Sequence, residues 1–228
     1  MKAKFLSAIF ILSFICLNAS AQDYRDSLHV IGVSAYKKQI KLSPEKQLVE
    51  IIKIVPAIQL DIRYATLNNF MHQRMYTQAR AFARLPVVKA LQAVEAELAL
   101  QGLGLKIYDA YRPYAVTVQF YKKASDKNFV ADPKKGSKHN RGCAIDLSLI
   151  NLKTGKELDM PTPFDSFKAQ AAADYPNLPA VVLQNRLILK TAMEHHGFRQ
   201  LSNEWWHFDF TGWQNYELLD VPFGDLQM

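Results

Sequence analysis

The sequence is poor in cysteine, and this limits how the fold can be held together. Only two of the 228 residues are cysteines, Cys16 and Cys143. Cys16 lies in an N-terminal segment that we expect to be removed, so one cysteine remains and an intramolecular disulfide is excluded. The fold must therefore rest on its hydrophobic core, alone or together with a bound metal.

Long apolar runs are also scarce, and the clearest one is at the N-terminus. Lys2 and Lys4 precede thirteen mostly apolar residues, 5–17, and Ala19-Ser20-Ala21 is a small-residue cleavage site. The run is short for a membrane span, and the order of the three parts is typical of a secretory signal. We therefore predict that residues 1–21 are a signal peptide.

This prediction sets the expected location and extent of the mature protein. Residues 22–228 should form a single domain, exported to the periplasm or secreted, with no stable membrane insertion after cleavage. A lipoprotein attached through Cys16 is an alternative. The bulky Ile15 before that cysteine argues against it, because such sites favour a small residue there.

Other absences exclude whole classes of function. The composition, 49% hydrophobic and 21% charged, is that of an ordinary globular protein. The net charge is +7, but the basic residues are scattered and the densest group, Lys134, Lys135 and Lys138, is short, so nucleic-acid binding is not predicted. There is no repeat, no low-complexity segment and no His-Glu-x-x-His helix, which excludes the helical zincin arrangement.

Residues 137–149 combine a polar turn with a strand-like alternation. In 144–149 a period of two places three aliphatic side chains on one face and Asp146 on the other. A carboxylate in an otherwise buried strand is costly unless it is paired or binds a metal. His139 lies seven residues earlier across a glycine-containing turn. We therefore predict that His139 and Asp146 are two ligands of one metal ion.

The remaining patterns predict an α+β fold, with a central, mainly antiparallel sheet that carries the metal site. Residues 86–101 and 180–196 have a helical period, each is followed by a glycine suited to a C-terminal cap, and both should flank the sheet. A further helix is predicted over 114–123. Strands are predicted within 48–63 and over 103–112 and 204–210, and loops over 22–46 and 124–138. Residues 151–179, rich in proline and turn residues, are predicted to be a long loop that covers a functional site.

A third ligand must come from another ordered element. His207, inside the strand-like run 204–210, is the best candidate. His195 and His196 are the rival, but they stand at a helix end, where histidine commonly interacts with the helix dipole. One carboxylate and two imidazoles with an open fourth position form the pattern of catalytic zinc. We predict one Zn²⁺ per chain, bound by His139, Asp146 and His207.

Glu204, three residues before His207, is a natural acid/base for such a site. In a regular strand the two side chains would face opposite sides, so Glu204 should lie in the loop, or at a bulge, where the strand begins. Asp209 is on the His207 side and is either a hydrogen-bond partner of that ligand or solvated. Cys143 is predicted to be a small packed side chain and not a fourth ligand. Trp205 and Trp206 are predicted to belong to the core or the pocket wall.

Two zinc motifs occur in order, Ser137-x-His139-x-x-Gly142-x-Ala144-x-Asp146 and Glu204-x-Trp206-His207. They resemble those of the zinc D,D-peptidases, which include the D-alanyl-D-alanine dipeptidases of the VanX type and D,D-carboxypeptidases. Longer stretches resemble the dipeptidase branch specifically, and together they span roughly residues 58–210. These stretches are 61–66 with Asn69 and Phe70, 108–113, 162–165 and 204–207.

The resemblance implies a fold of the zinc D,D-peptidase or hedgehog-like kind and a role for each matching residue. Glu204 would be the general base and Arg112 would stabilise the oxyanion. Ser137 would hydrogen-bond the dipeptide, Asp165 would meet its ammonium group, and Asp109, counted with the substrate site, would support Arg112. For Asp165 an N-cap of a helix starting after it is an equal alternative.

The implied activity is zinc-dependent hydrolysis of the dipeptide D-Ala-D-Ala. A first alternative keeps the chemistry but acts on peptidoglycan stem peptides as a D,D-carboxypeptidase, which an export signal favours. A second alternative is a non-catalytic cell-wall-binding module on the same fold, against which the presence of Glu204 and all three ligands argues. The oligomeric state is not predicted.

Overall fold

The computed structural model describes residues 27–124, 127 and 130–226. The strands are β1 (Leu48–Glu50), β2 (Gln59–Leu60), β3 (Phe82–Arg84), β4 (Leu103–Asp109), β5 (Ala144–Asn151), β6 (Phe198–Gln200) and β7 (His207–Phe210). The α-helices with defined bounds are α1 (Val33–Leu42), α2 (Ile51–Ile54), α3 (Leu85–Ala99), α4 (Tyr114–Lys123) and α5 (Ala180–His195). The predicted signal peptide lies outside the described residues, and the domain limits 22–228 stay a prediction.

The central sheet has the strand order β2-β4-β5-β7-β6. Strand β2 is parallel to β4, and every other neighbouring pair is antiparallel. Strands β1 and β3 form a separate antiparallel pair. The predicted α+β fold with a mainly antiparallel sheet is confirmed.

Strand β5 is the centre of the sheet and of the core. Its aliphatic face is fully buried, with Ile145, Leu147 and Leu149 each 0% exposed. Helices α3 and α5 pack against the sheet and against each other. The two flanking helices are thus confirmed, each within one or two residues of its predicted ends, and the alternation of β5 leaves Asp146 on the face opposite these aliphatic side chains.

The register of the sheet brings three acidic or imidazole groups into one row. Asp146 on β5 lies opposite His207 on β7, and on its other side it lies opposite Asp109 on β4. An irregularity between Ile107 and Asp109 shifts the end of β4 into this register. A bulge of this kind bends the strand locally and re-aims side chains next to a site.

Two predicted segments are wrong. The loop predicted over 22–46 contains helix α1, whose Tyr36 is buried and accepts a hydrogen bond from Leu48 N at 2.8 Å. In the apolar run that predicted a strand, Ile51–Ile54 form the short helix α2. The β-branched residues favour a strand locally, but Ile51 is packed in the core and its N–H is bonded to Ala81 O at 3.0 Å.

The long loop predicted over 151–179 agrees with the structure over most of its length. Asn151 still belongs to β5 and Glu157 forms an isolated bridge with Ile150, but residues 152–179 contain no α-helix and no further strand, and their one 3-10 turn is Ala169–Ala171. Strands β3 and β6 were not predicted, because three residues carry too little periodicity to be recognised. Within the described part of the chain, none of the helices has the length and apolar character needed to cross a membrane.

A buried carboxylate in α3 links stability to pH. Glu95 Oε2 accepts a hydrogen bond from Leu105 N at 2.9 Å, and among the described residues its Oε1 has no hydrogen-bond partner. Burial raises the pKa of Glu95, although the bond from Leu105 opposes this. The folded state therefore favours the neutral form of Glu95. The neutral carboxyl contributes stability at low pH, and this contribution is lost as the pH rises through the raised pKa of the folded state.

Glu95→Gln should consequently raise the free energy of unfolding at pH 7, because glutamine keeps an acceptor for Leu105 and carries no charge. The advantage should shrink below about pH 4, where the wild-type carboxyl is neutral in both states. Urea unfolding of both proteins at the two pH values measures this. A difference that does not change with pH would contradict the interpretation.

Candidate metal centre and active-site cavity

Three side chains from two parts of the chain converge on one point. His207 Nδ1 lies 3.0 Å from Asp146 Oδ1, and His139 Nε2 lies 3.3 Å from His207 Nδ1 and 3.5 Å from Asp146 Oδ2. All three residues are buried, and they form the group of potential metal ligands found among the described residues. The structure therefore brings together the three predicted ligands and leaves His195, His196 and Cys143 outside.

The spacing of these atoms suits a small tetrahedral ion. Zinc binds nitrogen and oxygen at about 2.0–2.1 Å, so two ligands of a tetrahedral site lie roughly 3.3 Å apart. The two imidazole nitrogens lie 3.3 Å apart, and their distances to the nearer oxygens of the Asp146 carboxylate, 3.0 Å to Oδ1 and 3.5 Å to Oδ2, are similar to this value. Two imidazoles and one carboxylate, without a fourth protein ligand in the group, leave a coordination position for water or substrate.

Outer hydrogen bonds fix which nitrogen of each imidazole faces the centre. His139 Nδ1 lies 2.7 Å from the carbonyl oxygen of Ala110, and His207 Nε2 lies 2.9 Å from Asp209 Oδ1. Both partners act as acceptors here, so these nitrogens carry the hydrogens and the opposite nitrogens present lone pairs inward. The predicted alternative in which Asp209 partners His207 is the one observed.

The electrostatics of the site call for a positive charge. Burial by itself would lower the pKa of His207, but hydrogen bonds with Asp146 and Asp209 raise it to about 10. Burial likewise opposes ionisation of Asp146, yet the two histidines lower its pKa below the usual range. The carboxylates around His207 therefore favour a positive charge at this point, and the donor set of two imidazoles and one carboxylate fits Zn²⁺.

A tight turn aims His139 at the centre. Residues His139–Arg141 form a 3-10 turn that ends at Gly142, whose φ is +68°. A Cβ at this position would collide with Leu48 Cδ2 and approach the backbone of Arg84, so glycine is required both for conformation and for space. The turn is also joined to the end of β4, since Arg112 N donates to His139 O at 3.1 Å.

Glu204 stands beside the metal-facing atoms. It lies in the turn before β7, as predicted, with Oε2 3.8 Å from His207 Nδ1. Burial raises the pKa of Glu204, and His207 opposes that shift. Its neighbour Trp205 is fully buried and donates from Nε1 to Thr162 Oγ1 at 3.0 Å, which anchors the turn to the 151–179 loop. Trp206 lines the cavity, so both predicted roles for the tryptophans occur.

Arg112 is held rigidly at the cavity wall. Its Nε and one terminal nitrogen lie 3.1 and 2.6 Å from Asp109 Oδ2, and its guanidinium lies 4.6 Å from the ring centre of Phe120. The other oxygen of Asp109 accepts from Tyr76 Oη at 2.7 Å and from Ala110 N at 2.9 Å. Asp109 is 1% exposed and does not line the cavity, so it contacts Arg112, as the resemblance implied, and its grouping with the substrate-binding residues is wrong.

The metal-facing atoms open into a cavity of about 480 Å³. Ser137, Arg112 and Asp165 all line it. Asp165 adopts a positive φ of 61°, and no helix follows it directly, which removes the predicted N-cap alternative. Its Oδ1 accepts from Tyr64 Oη at 3.0 Å, and among the described residues its buried Oδ2 has no partner. Burial, reinforced by Asp146, raises the pKa of Asp165 well above its usual value.

Sequence reasoning missed several residues of the cavity. Tyr64, Lys138 and Trp213 line it, and Tyr64 bonds to Asp165. Tyr64 lies within the 61–66 motif, which was the available signal for it. The two rejected histidines, His195 and His196, instead lie 3.3 and 2.9 Å from the carboxylate of Glu97.

Cys143 is 0% exposed, and burial raises its pKa to about 12. A thiol held in its neutral form by burial is a poor metal ligand, since the thiolate is the form that binds metals. Its place outside the ligand group agrees with the prediction of a small packed side chain.

The site has the donor set of two imidazoles and one carboxylate, with a further carboxylate beside it, that is typical of metal-dependent hydrolases. The family model of Peptidase M15, described as D-Ala-D-Ala dipeptidase, matches residues 44–226. The chain therefore belongs to the M15 family of D-Ala-D-Ala dipeptidases, which are zinc metallopeptidases, and the predicted recognition, enzyme class and cofactor are confirmed.

The relatives cover most of the chain. The D-alanyl-D-alanine dipeptidase of Escherichia coli K12 is 35% identical over 182 residues, which cover 80% of this chain and 94% of that protein. The D-alanyl-D-alanine dipeptidase of Enterococcus faecalis V583 is 28% identical and covers 76% and 92% respectively. Among solved structures, a VanY D,D-pentapeptidase in complex with Zn(II) aligns with a TM-score of 0.35 and 14% identity, over 59% of this chain and 75% of that chain.

Proposed function

We propose that this protein hydrolyses the dipeptide D-Ala-D-Ala to two molecules of D-alanine in a zinc-dependent reaction. The observation that carries the proposal is the convergence of His139, Asp146 and His207, whose ligand atoms all lie within 4.8 Å of one another, with Glu204 beside them and Arg112 on the wall of the same cavity. The names of the M15 relatives supply the substrate.

His139, Asp146 and His207 would hold the metal. When bound, zinc supplies Lewis-acid polarisation of the scissile carbonyl and a water nucleophile at neutral pH, since it lowers the pKa of coordinated water to about 7. The hydrogen bonds to Ala110 O and Asp209 keep both imidazoles in the orientation that binding requires.

Glu204 would take the proton from the attacking water and return it to the leaving amine. It is close to the ligands without being one, with 3.8 Å between its Oε2 and His207 Nδ1. Burial raises its pKa, which helps it to hold a proton between the two transfers. Arg112 would stabilise the negative oxygen that develops on the carbonyl, with its guanidinium oriented in advance by Asp109.

Asp165 would bind the ammonium group of the dipeptide. Its Oδ2 is buried and without a partner among the described residues, while Tyr64 holds Oδ1, so one oxygen is left for a cationic ligand. A buried acceptor without a donor is unfavourable, and a bound ammonium would satisfy it. Ser137, on the wall near His139, would hydrogen-bond the peptide.

Asp165→Asn should lower kcat/KM for D-Ala-D-Ala about 10- to 100-fold, because a hydrogen bond to a charged group contributes roughly 1.5–3 kcal/mol. N-Acetyl-D-Ala-D-Ala, which lacks the ammonium, is the matched control substrate. The wild type should discriminate strongly against it and Asp165→Asn should discriminate far less. An equal loss on both substrates would mean that Asp165 does not bind the ammonium.

One assay tests the proposed substrate. Purified zinc-loaded protein is given free D-Ala-D-Ala and, separately, a pentapeptide that ends in D-Ala-D-Ala, with Asp146→Asn as the metal-site control. We expect cleavage of the dipeptide by the wild type and little by the variant. Cleavage of the pentapeptide alone would favour a D,D-carboxypeptidase, and cleavage of neither would favour a cell-wall-binding module.

We propose further that the enzyme acts outside the cytoplasm, in the periplasm or as a secreted protein, in the turnover of cell-wall material. The support is the signal-like sequence of residues 1–21. Fractionation of cells that produce the full chain, with mass determination of the mature N-terminus, would test it. A cytoplasmic protein that retains its N-terminal segment would contradict the proposal.

A further inference from the structure

A chain of polar contacts leads from the metal-facing atoms to the cavity rim. His207 Nε2 donates to Asp209 Oδ1 at 2.9 Å, and Lys138 Nζ donates to Asp209 Oδ2 at 2.6 Å. Each oxygen of the aspartate thus has its own donor. The side chain of Asp209 is 11% exposed and that of Lys138 is 33% exposed, so the contact between the carboxylate and the lysine is largely shielded from solvent.

Both ends of this chain are fixed to backbone that carries ligands. Lys138 directly precedes His139, and its carbonyl oxygen accepts a bond from Cys143 N at 3.1 Å, which closes the ligand-bearing turn. Asp209 follows His207 by two residues on β7 and lies opposite Ala144 on β5. The ion pair therefore joins the turn that supplies one ligand to the strand that supplies another.

The indole of Trp213 supports the lysine. Lys138 Nζ lies 5.4 Å from the centre of this ring, within the range of a cation–π contact. A flexible lysine normally loses side-chain entropy when it is held in one ion pair, and a surface pair contributes little for that reason. The Trp213 ring restricts the lysine, and burial of Asp209 reduces solvent screening. The Lys138–Asp209 pair should therefore be stronger than a solvated surface pair.

We propose that Lys138 and Asp209 are positioning residues for the metal ligand His207. Asp209 holds the hydrogen of His207 on Nε2, so that Nδ1 faces the metal. Lys138 occupies the second oxygen of Asp209 and keeps the carboxylate turned toward His207. The inference rests on the proposed metal-dependent function, and it assigns control of metal affinity to a lysine that does not itself bind the metal.

The sign of the lysine effect separates positioning from a simple charge effect. A positive charge near the site opposes binding of Zn²⁺ by Coulomb repulsion, so its removal alone would tighten binding. If the lysine orients Asp209, its removal weakens binding instead. Lys138 also lines the cavity, and a lysine that only contacts substrate would change KM and leave metal affinity alone.

The test is zinc affinity of the full chain, measured by chelator competition, together with kcat and KM. Asp209→Asn should weaken zinc binding about 10- to 100-fold, the usual cost of losing a partner of a ligating histidine. Lys138→Met should weaken it in the same direction by a smaller factor, and Lys138→Arg should restore most of the loss. The double variant should bind zinc no more weakly than Asp209→Asn, because the lysine acts through the aspartate.

Lys135→Met is the matched control, since it removes a positive charge from the same cavity wall and should not weaken zinc binding. Thermal midpoints of the metal-free proteins show whether each variant folds. If Asp209→Asn does not fold, the Lys138 variants still test the proposal. Unchanged or tighter zinc binding in Lys138→Met would overturn the proposal, as would additive losses in the double variant. A wild type that binds no zinc would overturn the proposed function as well, which makes the two failures distinguishable.

Discussion

Replacing Glu204 with glutamine should reduce kcat for D-Ala-D-Ala about 10²–10⁴-fold, the range that a positioned general base contributes. Glutamine has nearly the same shape and can still accept a hydrogen bond, but it cannot take a proton from water. Zinc affinity should stay within a few-fold of the wild type, because the carboxylate stands 3.8 Å from His207 Nδ1 and outside the group of three ligands. Steady-state kinetics and chelator competition measure the two effects separately.

Glu194→Gln is a suitable control for the Glu204 variant. Glu194 lies on the exposed side of α5 beside Lys190 at 4.0 Å, so its substitution removes a carboxylate of the same type at a distance from the cavity. Its kinetics should match the wild type. If Glu204→Gln loses zinc together with activity, Glu204 is a ligand, and if it keeps full turnover, another group is the base.

Replacing Arg112 with lysine should lower kcat about 10²–10³-fold with a smaller change in KM, which is the usual cost of removing one oxyanion donor. Lysine keeps the charge but loses the planar fork that binds Asp109 and lies over Phe120. Burial disfavours the charged guanidinium, yet Asp109 more than compensates and holds the pKa of Arg112 above its usual value. The arginine therefore remains charged at every pH used for the assay.

Arg74→Lys provides the comparison for that experiment, because Arg74 is exposed and does not line the cavity. It should leave both kinetic constants unchanged. A rise in KM for Arg112→Lys with kcat unaffected would indicate that the arginine binds ground-state substrate and does not act on the transition state.

Local patterns in the sequence were enough for the main elements of the fold. The helices α3 and α5 were predicted from a helical period and a following glycine, and β5 from its alternation. The alternation also showed that Asp146 is a carboxylate in an otherwise apolar strand, and this observation led to the prediction of a metal site. Short elements were not predictable in this way, because β3, β6 and α2 are too short to show a period.

The helix α2 illustrates how tertiary contacts override local preference. A run of β-branched residues predicted a strand across Ile51–Ile54, and the chain turns helical there instead. Buried Ile51 and its backbone bond to Ala81 depend on a segment thirty residues away. No window of the sequence contains that information.

The candidate site, like the fold, was predicted in part from the sequence and in part only from the structure. The residue types and spacings of His139, Asp146, Glu204 and His207 were sufficient to predict which groups would meet, because ligand chemistry restricts the choice to few side chains. The resemblance implied that Asp109 supports Arg112, but the contacts with Tyr76 and Ala110 that hold its second oxygen were not predicted.

By itself, the sequence determined the residue types of the site: the kinds of ligand, the carboxylate beside them and the strand that carries Asp146. Only the tertiary structure decided the register that sets Asp146 between Asp109 and His207, and the ion pair of Lys138 with Asp209. The physical reason is that the chemical type of each side chain, and its spacing along the chain, can be read directly from the sequence. Contacts between residues some seventy positions apart exist only once strands pair and a turn closes.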